Sequence, residues 1–119
     1  MNDDINKLLN GHCRAVSAKE GPMNLSQIEE SRRLTPLWQF CANDNVLSRT
    51  FHFDSFAKTI EFVNSVAAVA EAQNHHPELL VTYNRCKVYY KTHTVNGITE
   101  NEFICAAQID SLTDHNCPK

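Results

Sequence analysis

Ser55-Phe56-Ala57-Lys58-Thr59-Ile60-Glu61-Phe62-Val63-Asn64-Ser65-Val66-Ala67-Ala68-Val69-Ala70-Glu71-Ala72-Gln73-Asn74-His75-His76-Pro77 is the stretch that decides the fold. Phe56, Ile60, Val63, Ala67 and Ala70 recur at spacings of three and four, which predicts one long helix with that stripe turned to a core. Asp54 or Ser55 supplies an N-cap. Pro77 biases His76 away from helical angles, so the helix is expected to end near Asn74.

On either side the period changes from 3.6 to 2. Trp38 to Cys41 and Val46 to Phe53 read as strands around the turn Asn43-Asp44-Asn45, with Phe51 and Phe53 on one face. Leu79 to Tyr83 and Cys86 to His93 read as a second pair around Asn84-Arg85. In the last strand Cys86, Val88, Tyr90 and Thr92 share one face, and Lys87, Tyr89, Lys91 and His93 the other. Ser26-Gln27-Ile28-Glu29 matches a capping box for a short helix ending near Leu34, ahead of Pro36. After the turn signal Asn96-Gly97, Thr99 to Glu102 forms another capping box, and Phe103, Ala106 and Ala107 give a final helix its apolar contacts. The expected class is α+β, in the order α-β-β-α-β-β-α: a four-stranded antiparallel sheet with three helices on one face. Such a sheet leaves its edges and second face to be covered.

The 119 residues fit one domain, and 42% apolar residues suffice for an ordinary core. Residues 1–24 show little regular pattern, with Gly11, Gly21 and Pro22 interrupting them, and are expected to form a loosely ordered arm. Residues 25–114 form the expected domain, and 115–119 a tail. Met1-Asn2-Asp3-Asp4 has neither a basic region nor an apolar run, and Ile60 to Ala70 is too short and too polar to span a membrane. A cytoplasmic location follows as an expectation. The net charge of -3 lacks the basic excess that drives nucleic-acid binding. Five cysteines with no C-x-x-C spacing argue for reduced thiols rather than a disulfide framework or a cysteine zinc site.

His75, His76 and His93 carry the chemistry to be weighed. A histidine at a helix C-terminus feels the negative end of the dipole, and Glu71, four residues earlier, is expected to reach His75 on the same face. Both effects favour the protonated form and suit a proton donor near neutral pH. The plainer reading is a C-cap that bonds the last carbonyls. His93 alone is an exposed strand-end histidine. No acidic or cysteine fourth ligand stands at a recognisable zinc spacing, so no metal is expected. Glu102 has a structural role as the third residue of its capping box. Trp38 and Tyr83 are more often core or strand-surface aromatics than ligand stackers.

Taken together, these pieces resemble a known family. Glu71-Ala72-Gln73-Asn74-His75-His76-Pro77, then Tyr83, Thr92-His93 and Gly97-Ile98-Thr99 resemble the pterin-4a-carbinolamine dehydratases. There an acidic residue and three intervening positions precede His-His-Pro. An aromatic, a Thr-His pair and Gly-Leu/Ile-Thr/Ser follow. Phe51 to Phe56 looks like that family's strand-to-helix junction, and Ala106 to Asp110 like its last helix. The likeness spans roughly residues 38–112. Glu102 stands where the family usually has Asp.

The resemblance implies dehydration of 4a-hydroxytetrahydrobiopterin to the quinonoid dihydropterin, which recycles the cofactor of aromatic amino-acid hydroxylases. His75 and His93 would be the acid–base pair, with either order open, and His76 would position the pterin. Glu71 would orient a histidine, Tyr83 and Trp38 would pack around the ring, and Glu102 completes the substrate-binding or orienting set. The elimination is redox-neutral, so no cofactor is expected. The implied partners are the pterin substrate and a second copy, as a homodimer or homotetramer. No nucleic acid and no membrane is expected. The alternative is a dimerisation or transcriptional-coactivator module without catalysis, or a related activity on another pterin.

Overall fold

A computed structural model describes residues 2–113. The expected tail, 115–119, lies outside the described residues. Four helices and four strands follow one another as α1 (Asn2–Leu9), α2 (Leu25–Arg32), β1 (Gln39–Cys41), β2 (Val46–His52), α3 (Phe56–Gln73), β3 (Glu78–Thr82), β4 (Arg85–Tyr90) and α4 (Glu100–Ser111). A single 3-10 turn, His93–Val95, separates β4 from α4.

The strands form one antiparallel sheet in the order β1-β2-β4-β3. Two hairpins are joined through their second strands, with Leu47 opposite Tyr90 and Phe51 opposite Cys86. Leu47, Phe51, Cys86, Val88 and Tyr90 are buried on one face. Helix α3 crosses that face, placing the Phe62 ring 4.5 Å from Phe51. Helix α4 is joined to the sheet by the ion pair Arg49–Asp110 at 2.6 Å. The other face carries Gln39, Thr50, Leu80 and Lys87, with Leu80 exposed.

Helix α3 starts and stops as its sequence dictates. The Ser55 hydroxyl accepts the Lys58 N–H, and Asn74 closes the helix in the left-handed region at φ 50°. The buried face, however, is not the expected stripe. Thr59, Phe62, Val66, Ala70 and Gln73 are buried, whereas Phe56 is 54% and Ile60 36% exposed. Successive residues advance by about 100° on a helix, so the two faces are neighbours about a quarter turn apart. Thr59 and Gln73 disguise the inner face because their polar ends are satisfied inside it. The Thr59 hydroxyl lies 2.9 Å from the Ser55 carbonyl and 3.0 Å from that of Tyr83.

Three further readings change. The N-cap of α2 is Asn24, in a reciprocal box with Gln27 rather than Ser26 with Glu29. That register turns Ile28 into the core. Residues 2–9, expected to lack regular structure, form α1, which packs on α4. Strand β4 stops at Tyr90, so His93 is not a strand residue. Instead, reciprocal backbone bonds between Thr92 and Gly97 (2.8 and 3.3 Å) close a loop in which His93 opens the 3-10 turn. Gly97 is required there, since a Cβ would sit 2.6 Å from the Pro22 ring.

Candidate active site

The left-handed Asn74 swings the chain out of α3, and the His75 N–H reaches back to the Ala70 carbonyl at 3.1 Å. The His75 ring thereby leaves the helical face that carries Glu71 and turns inward against Tyr90. The rings stack at 5.1 Å and 19°, and the Tyr90 hydroxyl donates to the His75 carbonyl at 2.9 Å.

Nε2 of His75 pairs with Oε2 of Glu102, which is fully buried. The same carboxylate caps α4, accepting the Thr99 N–H at 2.7 Å on Oε1. The Thr92 hydroxyl lies within 2.9 Å of both carboxylate oxygens. Glu102 is thus a capping residue on one oxygen and the partner of His75 on the other, which its capping spacing alone could not reveal. A negative charge in the first turn of α4 is also favoured by the helix dipole.

Burial works against a charged His75, but the hydrogen bond and charge of Glu102, with a smaller contribution from Cys13, outweigh it. His75 therefore holds its proton above the ordinary 6.5. The expected partner Glu71 pairs with His76 instead, at 2.9 Å, in an exposed position.

His75, His76 and His93 line one cleft of about 420 Å³, together with Lys91 and Thr92. An adjoining hollow of about 250 Å³ shares His76, Lys91 and His93 and extends to Asp44, Glu78 and Tyr89. Among the expected site residues, Glu71 and Glu102 reach the cleft only through His76 and His75, and Trp38 and Tyr83 do not line it. Trp38 is fully buried, its indole N–H donating to Asp110 at 2.7 Å. Tyr83 is 69% exposed at the β3–β4 turn, the end of that hairpin opposite to His75 and His93.

One wall of the cleft comes from the amino-terminal arm, through Cys13, Arg14, Ala15 and Val16. The Cys13 N–H donates to Gln73 Oε1 at 2.7 Å and the Arg14 N–H to Asn101 Oδ1 at 3.1 Å. Asn101 Nδ2 donates back to the Arg14 carbonyl at 2.8 Å. Gln73 and Gln108 also donate to the Gly11 carbonyl at 3.2 and 3.1 Å. Side-chain amides on α3 and α4 thus satisfy the backbone of a segment without periodicity, which is why no sequence pattern announced it.

The geometry can be set beside known proteins. The family model described as pterin 4 alpha carbinolamine dehydratase matches residues 21–112. A provisionally named pterin-4-alpha-carbinolamine dehydratase of Legionella pneumophila (strain Corby) is 40% identical over 102 residues, covering 85% of this chain and 90% of its own. A similarly named protein of Xylella fastidiosa (strain 9a5c) is 39% identical over 112 residues, covering 94% and 96%. The crystal structure of a transcriptional coactivator/pterin dehydratase from Brucella melitensis superposes with a TM-score of 0.73 at 30% identity, covering 77% of this chain and 98% of that one.

Proposed function

This chain belongs to the pterin 4 alpha carbinolamine dehydratase family, and from that premise we propose that it removes water from a 4a-hydroxytetrahydropterin to give the quinonoid dihydropterin. The observation that carries the proposal is the cleft shared by three histidines, one of them paired with a buried carboxylate.

In this reading His75 is the acid. Its proton goes to the 4a-oxygen as the carbon–oxygen bond breaks, and water leaves. His93 takes a proton from a ring nitrogen, whose electron pair closes the new double bond. His76, held by Glu71, positions the ring. Each well-placed proton transfer contributes roughly 10²- to 10⁴-fold. Glu102, with Thr92, orients His75 and sustains its charge. The activity would serve pterin recycling for an aromatic amino-acid hydroxylase in the cytoplasm, within a homodimer or homotetramer.

A non-catalytic coactivator-type module is the second reading. Its support is the apolar outer face of α3, where Phe56 and Ile60 are exposed, and the likeness to the Brucella melitensis protein, described as a transcriptional coactivator as well as a pterin dehydratase.

Absorbance decay of 4a-hydroxytetrahydropterin tests the enzyme reading. The wild type is expected to accelerate decay well beyond the uncatalysed rate. His75→Ala and His93→Ala are each expected to lose roughly 10²- to 10⁴-fold while remaining folded. Decay at the uncatalysed rate with wild type, or full activity in both variants, would overturn it.

A further inference from the structure

The arm that walls the cleft also brings a thiol to a second thiol that the proposed chemistry does not use. Cys13 Sγ lies 3.6 Å from Cys105 Sγ, across 92 residues of chain. Cys13 is partly exposed and lines the cleft, whereas Cys105 is fully buried on α4, one turn beyond Glu102. The bonds from Cys13 and Arg14 to Gln73 and Asn101 fix the arm on both sides of the thiol. The pair is therefore held together by the fold rather than by chance encounter.

We propose that Cys13 and Cys105 form a peroxide-responsive pair, in which Cys13 is oxidised at the cleft wall and Cys105 resolves it to a disulfide that slows turnover. The thiolate of Cys13 attacks one oxygen of hydrogen peroxide, breaking the oxygen–oxygen bond to give a sulfenic acid and a hydroxide, which becomes water on taking up the proton that Cys13 released on ionising. The Cys105 thiol then attacks Cys13 Sγ and expels the second water. Two thiols lose two electrons and two protons in total, and one peroxide becomes two waters.

The environments assign the roles. The contact with Cys105 lowers the Cys13 thiol below its ordinary value against the effect of burial, and His75 adds to the lowering, while Cys13 Sγ also lies 3.5 Å from the Asn101 carbonyl, to which the thiol donates. Cys105 is pushed up by its bond to Cys13 and by burial, so it stays protonated. Closure would shorten the contact from 3.6 Å to about 2.05 Å. It would draw the arm toward α4 and remove the thiol whose ionised form supports the charge of His75. The effect on turnover rests on the function proposed above; the cross-link does not.

The test treats the full-length protein with a few equivalents of hydrogen peroxide, blocks free thiols and digests without reduction for mass spectrometry. The expected result is a peptide containing Cys13 joined to one containing Cys105. Cys105→Ala should abolish it and leave a Cys13 sulfenic acid that dimedone traps. Dehydration should fall severalfold on oxidation of the wild type and recover with dithiothreitol. Blocked, unlinked thiols at both positions after peroxide would overturn the proposal. So would a Cys13–Cys105 link that leaves turnover unchanged. Reduced protein inactive from the outset would instead refute the dehydratase reading, with the cross-link still judged by mass.

Discussion

Two histidine–carboxylate pairs sit on adjacent residues and behave differently. His76 and Glu71 meet at 2.9 Å with side chains 55% and 78% exposed. His75 and Glu102 meet where the carboxylate has no exposure at all. The first pair is bathed in water, which screens the attraction and competes for each hydrogen bond. The second has lost its water, so Glu102 depends on Thr99, Thr92 and His75 for satisfaction. The same two side-chain types thus give an adjustable surface contact in one place and a fixed proton site in the other. Burial of the partner, rather than sequence adjacency, sets how firmly each pair is held.

The contrast is broken most severely at Glu102. Glu102→Ala strips His75 of its partner and α4 of its cap, and is expected to cost about 3–5 kcal/mol, read as a fall in urea midpoint. Glu102→Gln keeps the cap, because glutamine serves a capping box equally well, and isolates the charge. The raised native value of His75 sets the sign of the pH effect. Its pairing contributes fully below the unfolded value of about 6.5 and is lost as pH rises through the native value. The Tm gap between wild type and Glu102→Gln should therefore be widest near pH 6 and narrow above that value. A gap that widens with pH contradicts the assignment.

A smaller effect is expected at Gln73, which bonds the arm rather than the histidine. Gln73→Ala should cost about 1–2 kcal/mol through the Cys13 N–H it leaves unsatisfied, the Gly11 carbonyl keeping its bond from Gln108. Amide exchange should quicken at Cys13, and KM should rise more than kcat falls. Unchanged exchange there would show that the arm is held by other means. The least effect belongs to the exposed pair. Glu71→Ala should change stability by less than about 1 kcal/mol, and a larger loss of Tm would mean that Glu71 is buried in solution.

The elements were legible where local chemistry decides them. Ser55, Asn74 and Pro77 bound α3, the Thr99–Glu102 box starts α4, and alternation places the four strands. What could not be read was set by tertiary partners. Matching Glu71 to His75 extends the helical spacing one residue past the end expected near Asn74. The left-handed turn at Asn74 hands Glu71 to His76. The inner face of α3 was hidden by Thr59 and Gln73, whose polarity is compensated by groups distant in sequence. His93 was assigned to the site through the family motif, yet its position depends on the Thr92–Gly97 closure rather than on a strand. Cys13 and Arg14 carry no periodic signal, and their place in the cleft wall follows from amides on α3 and α4.

The central claim is that buried Glu102 makes His75 the proton donor for water loss. The most direct measurement is the pH dependence of kcat/KM for 4a-hydroxytetrahydropterin breakdown, in wild type and Glu102→Gln. Because the donor must be protonated, the alkaline limb of the wild type should fall only above the ordinary histidine range, and Glu102→Gln should move that limb to lower pH. An alkaline limb that stays in place when the carboxylate is removed would contradict the account.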